Sequence, residues 1–324
     1  MRSWFVALSL VTSAALIGAA PRSHQLSIVD LGTLGGRFSS ASGINNRNQV
    51  VGVSFTNATG NFHGFLWQDD TMVDLGTLPG DDNSEANGIN DHGQIAGTSR
   101  RTGVSVRAVV WDNGTIVDLG MPPGASFCEA HAINNHGQIA GECGFGDGVV
   151  HAVIWHHGQI VDLGAPPDTT VIRAAAINER GEVAGTDSAF HAFVWDGAMT
   201  DLGTLPGGQF SAANAITDHG QVIGHSTTST GAFMAVIWEK GRVTTTLGML
   251  PGTFNSQAYG VNKRLEIVGR SDQLPFLWSD GTMMELPTLP GGTQALPFAI
   301  NDRGWAAGQG DTADNQAHAV LSMR

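Results

Sequence analysis

The chain has 324 residues, a formal net charge of -13, 44 glycines and only 14% charged residues. An acidic balance with no compensating basic stripe argues against nucleic-acid binding, because phosphate backbones are repelled. A hydrophobic content of 41% provides for a packed core, and abundant glycine without a collagen-like period points to many tight turns.

Residues 1–20 read as an export signal: Arg2, an apolar run from Trp4 to Gly18, then a Gly18-x-Ala20 pattern suited to signal peptidase. The run is shorter than the roughly 20 apolar residues that a membrane-spanning helix needs. No later segment reads as a span, so residues 21–324 are expected to form a secreted or periplasmic protein, monomeric and without a transmembrane segment.

From Leu26 onward one pattern recurs. Asp-Leu-Gly stands at Asp30, Asp74, Asp118, Asp162 and Asp201, with degenerate copies at Leu247 and Leu286. Measured between the leucines, the spacings are 44, 44, 44, 39, 45 and 39 residues. A second unit occurs seven times, as in "GINDHGQIAG" and "AINERGEVAG", and a third ends in Trp in six of its seven copies, as in "HAVIW". Each repeat therefore offers four short strand-like runs: a ("SxAxGIN"), b ("GQIAG"), c ("HAFLW") and d ("GTMVDLG"), punctuated by Gly, Asn and Asp. Four strands per repeat of about 44 residues predict an all-β, seven-bladed β-propeller of four-stranded antiparallel blades. The lone d strand at 26–32 is expected to complete the last blade, formed by 295–324, and so remove an open sheet edge.

The segments "HAFVW", "DLGTLPGG" and "AINERGEVAG" resemble the extracellular HAF-repeat family over essentially the whole chain after the signal. The resemblance implies an exported repeat protein and assigns no activity to any residue.

The histidines are read against their copies. With His156–His157 as the c–d turn, Trp155 faces Gly158 and His151 falls opposite Asp162; the same count pairs His63 with Asp74, Arg107 with Asp118 and His318 with Asp30. His191 and Asp201 hold the equivalent motif positions in blade four. Arg cannot ligate a metal, so a position held by His or Arg reads as a cross-strand polar pair rather than a metal or catalytic site. The six repeated Trp read as blade packing. The repeated Asn at 45, 90, 134, 178, 262 and 301 read as turn residues, with Gly or Asn48 at a positive-φ position and Leu265 expected to turn differently.

What breaks the repeat is where specificity is sought. The b–c and d–a connections share one face and include the variable loops Phe55–Asn61, Arg100–Ser105 and Gly144–Val149. The a strands are expected to line a central channel. Their variable residues Glu85, Asn87, Glu129, His131, Arg173, Asn214, Gln257 and Tyr259 are the candidate ligand-binding set. Cys128 and Cys143 face one another as a disulfide if the turn between them has an even-numbered loop, and are offset if it contains a bulge. No catalytic residue, metal-ligand spacing or cofactor motif is recognised. The favoured reading is an exported, non-enzymatic binding or interaction scaffold for a glycan or protein. The alternative is a carbohydrate-active enzyme such as a lyase of acidic sugars, using Tyr259 or His131 with Arg173.

Overall fold

The computed structural model describes residues 26–57, 60–146, 148–164 and 169–323, so the proposed signal at 1–20 lies outside the described residues. The described chain folds into 28 strands arranged as seven four-stranded antiparallel sheets. Blade three is representative: a, Ala125–Ile133; b, Ile139–Phe145; c, Val150–His156; d, Gln159–Asp162. The seventh sheet joins Ser27–Asp30 to Ala317–Met323, Ala306–Asp311 and Ala295–Ile300, so the ring closes as expected.

The core lies between blades rather than within them. One cluster unites Leu31, Ala319 and Leu321 of blade seven with Ala41, Val50 and Phe65 of blade one. Another unites Ile237 and Leu250 of blade five with Ile267, Phe276 and Trp278 of blade six. The repeated Trp belong to these seams, Trp111, Trp155, Trp238 and Trp278 being buried. Trp111 and Trp155 each donate Nε1–H to a carbonyl of the preceding blade, at Leu75 and Gly120. A sheet buries its apolar face only against a neighbour, so the ring stabilises every member.

The Asp-Leu-Gly unit has a local cause. Each Asp accepts the backbone N–H of the glycine two residues on, at 2.7–2.9 Å, for Gly32, Gly76, Gly120, Gly164 and Gly203. Those glycines have φ between 65° and 78°, a region where a side chain would be strained. The same carboxylates receive Nδ1–H of His63, His151, His191 and His318 at 2.8–3.0 Å, and Arg107 takes this role in blade two at 3.3 Å.

Two turn expectations are corrected. The c–d turn of blade three is His157–Gly158, both at positive φ, because His156 still pairs with Gln159. Trp155 consequently opposes Ile160, and Asp162 opposes Val153; the His151–Asp162 contact is diagonal, two residues from direct register. Leu265 does not turn differently: its φ of 60° matches that of Asn48, and its N–H bonds the Asn262 carbonyl as in the other blades. The conformational cost is offset by its packing against the blade five–six core.

Candidate functional site

Each a strand carries a β-bulge, after an alanine in six blades and after Pro297 in the seventh, at Ser42, Asn87, His131, Ala175, Asn214, Tyr259 and Phe298. A bulge inserts one unpaired residue and re-aims its side chain. These seven residues line the channel together.

One layer nearer the loop face, the other variable a-strand row pairs directly with a row on strand b that sequence reading overlooked. The partners are Ser40 and Val53, Glu85 and Thr98, Glu129 and Glu142, Arg173 and Thr186, Ala212 and His225, Gln257 and Arg270, Leu296 and Gln309. Strand b's repeated glycine makes the pairing this close: a Cβ on Gly141 would collide with the Glu129 carbonyl oxygen and meet the Trp155 ring.

The charged part of this double row spans blades two to four. Arg100 Nη2 lies 3.1 Å from Glu85 and 3.7 Å from Glu129, so one guanidinium stands between the two candidate carboxylates. Burial raises the pKa of Glu85, opposed by Arg100. Glu142 is 7% exposed at its side chain; its Oε2 accepts no hydrogen bond and lies 3.7 Å from Arg173 Nε and 3.9 Å from His131 Nε2. Burial pushes its pKa up to about 7 against the pull of Arg173, with Glu129 adding to the rise. Burial likewise lowers the pKa of His131.

Cys128 and Cys143 stand beside this cluster as a directly opposed pair joined by a disulfide. The strands close next to the turn as Ile133–Ile139, an odd loop that by itself would set Cys128 opposite Gly144. The bulge at His131, between Cys128 and the turn, takes up one residue and brings Cys128 opposite Cys143.

The remaining candidates divide. Asn87 and Asn214 donate Nδ2–H to the Ala130 and Ala258 carbonyls of the next blade, at 2.8 and 2.7 Å, which makes them inter-blade clasps. Gln257 Oε1 accepts from Tyr259 Oη–H at 2.9 Å and from Arg270 Nε–H at 2.8 Å, forming a separate network on blade six. Tyr259 packs on Phe298, and burial raises its pKa. His131 and Arg173 thus meet at Glu142 on blades three and four, whereas Tyr259 belongs to blade six with blade five between.

Between blades four and five the loop face is aromatic. Phe190, Phe210 and Phe233 wall a hollow of about 340 Å³ with Thr186, Ala212 and His225. Phe190 and Phe210 are 62% and 44% exposed, and they meet edge to face. Burial lowers the pKa of His225 to about 4, and its Nδ1 has no hydrogen-bond partner.

The opposite mouth is repetitive. Asn45, Asn90, Asn134, Asn178, Asn262 and Asn301 each donate Nδ2–H to a carbonyl of the next blade at 2.9–3.1 Å, with Asn301 closing onto Asn45. Thr217 stands where the seventh Asn would be.

No protein-family model and no curated protein matches the chain. Solved structures do match its fold. It is similar to an oligogalacturonate lyase from Vibrio parahaemolyticus (TM-score 0.60, 8% identity, 93% of this chain and 94% of that one). It is also similar to YCF48 bound to D1 peptide (TM-score 0.56, 12% identity, 92% and 94%). A third likeness is to an acylaminoacyl peptidase from Pyrococcus horikoshii (TM-score 0.54, 13% identity), of which the match spans 52% against 90% of this chain. At these identities the likeness concerns the fold.

Proposed function

We propose that the protein is an exported binding scaffold of the HAF-repeat kind that takes a glycan at its loop-face channel mouth. The observation that carries this reading is the division of labour between the mouths. At one mouth the repeated asparagines and the polar ring that includes Asp91, Glu179, Asp218 and Asp302 are bonded from blade to blade, while the exposed phenyl rings and the buried, unpaired Glu142 and His225 lie at the other. Exposed phenyl rings beside carboxylate, guanidinium and amide groups suit the apolar faces and hydroxyls of a sugar chain. Export is supported by the sequence at 1–20 and by the Cys128–Cys143 disulfide, since such bonds persist in oxidising compartments. A lyase and a peptide-bound protein share this fold, so fold alone does not choose between catalysis and binding. Tyr259 on blade six is apart from Arg173 on blade four, which disfavours a lyase built on that pair, whereas His131 and Arg173 do meet at Glu142.

The test is a glycan array that includes polyuronates, read for binding and for release of unsaturated products. Binding without product is expected, with Arg100→Ala weakening it at least about tenfold, or about 1.4 kcal/mol. Product release would establish the enzyme reading, and absence of any glycan binding would overturn the carbohydrate assignment.

A further inference from the structure

We infer that Glu129, His131 and Glu142 form a binding site for a first-row divalent cation, typified by Zn²⁺ or Mn²⁺. One donor atom from each of the three lies within 4.8 Å of the others. Two carboxylate oxygens and an imidazole nitrogen suit these ions, Ca²⁺ and Mg²⁺ preferring all-oxygen sets. Ligand bonds near 2.0–2.2 Å require the donors to draw together by about 1 Å, within the reach of ordinary side-chain adjustment.

Two independent observations point to a cation here. Like charges directly opposed on neighbouring strands destabilise a sheet, yet Glu129 and Glu142 occupy such a pair. Glu142 is also more than nine-tenths buried, and its Oε2 accepts no hydrogen bond despite lying in the cluster. A buried carboxylate oxygen without a donor is costly, and a bound cation removes that cost. The bulge at His131 supplies the third donor by releasing that residue from the a–b ladder. Among the described residues Arg173 is the one cationic side chain within 4 Å of Glu142 Oε2 other than His131, and at 69% exposure it has room to swing outward. In this arrangement its guanidinium competes with the metal.

The inference does not depend on glycan binding and is tested without it. The purified protein in its proposed exported form, residues 21–324, stripped with EDTA and kept oxidised, is titrated with Zn²⁺, Mn²⁺ and Ca²⁺ by calorimetry, with bound metal counted after dialysis. One Zn²⁺ or Mn²⁺ per chain is expected, with Ca²⁺ much weaker. Glu142→Gln and His131→Asn are expected to weaken binding at least about tenfold, the size seen for lesser perturbations of metal sites. Arg173→Ala, at an exposed position, is expected to tighten it several-fold, an effect that a purely structural cluster would not produce. The surface pair His156 and His157, with ring centroids 4.0 Å apart, supplies the control. Stoichiometric binding that survives Glu142→Gln but disappears in a His156→Ala/His157→Ala variant would overturn the assignment. So would absence of Zn²⁺ and Mn²⁺ binding to the wild-type chain, or unchanged affinity in Arg173→Ala.

Discussion

The two mouths of the channel are built from the same strands and solve opposite problems. At the a–b mouth each Asn satisfies its own turn and reaches the next blade. Asn134, for example, accepts the N–H groups of His136 and Gln138 and donates to Gln138 Oε1 and the Asn178 carbonyl. At the loop-face mouth Glu142 and His225 are buried with a polar atom left unpaired. The comparison teaches that the repeat secures stability at one end, which leaves the other end free to hold groups that a self-sufficient blade would not tolerate.

The largest way to break this contrast is Asn134→Ala. It removes four hydrogen bonds at a residue only 4% exposed, so a loss of about 3 kcal/mol is expected in denaturant or thermal unfolding. Glycan binding of the folded protein should be unchanged. Equal damage to binding and stability would show that the mouths are not separable.

The next effect lies in the pH dependence of stability, measured in EDTA. Glu142 is raised from 4.5 to about 7 in the folded protein, so the native state holds a proton that the unfolded chain releases. Its contribution is present below pH 4.5 and is lost as pH rises through 7. His225 is lowered from 6.5 to about 4, so its contribution is present above 6.5 and is lost as pH falls through 4. The two trends offset one another between pH 4.5 and 6.5. Glu142→Gln should therefore unmask stability rising with pH in that window, and His225→Gln should unmask stability falling, each by about 2 kcal/mol. A variant whose slope has the other sign would refute the assigned burial.

The fold was legible because its causes are local and repeated: turn glycines, Asp caps, and a lone d strand matched to a blade lacking one. The site was legible only in part. Glu85, Glu129, His131 and Arg173 stood out as breaks in the a-strand pattern, but Glu142 did not. It occupies the position after the strand-b glycine, held elsewhere by Val53, Thr98, Thr186, His225, Arg270 and Gln309, and that variation was itself a usable signal. What could not be read was the register that sets Glu142 opposite Glu129, because register depends on where the His131 bulge falls. The c–d turn failed for a related reason: in "WHHGQ" nothing in composition decides whether His156 or His157 takes the positive φ, and a one-residue error moves the partner by two.

Thr217→Asn would extend the asparagine ring to its seventh member. Thr217 already accepts the N–H groups of His219 and Gln221, so the turn is in place and only the bond to the next blade is added. A gain of about 1 kcal/mol in unfolding free energy is expected, with no change in ligand affinity.

The smallest effect separates the repeated His–Asp contacts from chemistry. His151 and Asp162 are 25% and 43% exposed at their side chains, and Arg107 fills the same role opposite Asp118. An exposed pair contributes little, so His151→Ala should cost no more than about 1 kcal/mol and His151→Arg should lie within about 0.5 kcal/mol of wild type. The cap would survive both changes, because Asp162 still holds the Gly164 N–H. A loss of glycan or metal binding in His151→Arg would move this histidine from the scaffold to the site. An unchanged affinity leaves it as one of five equivalent fastenings around the ring.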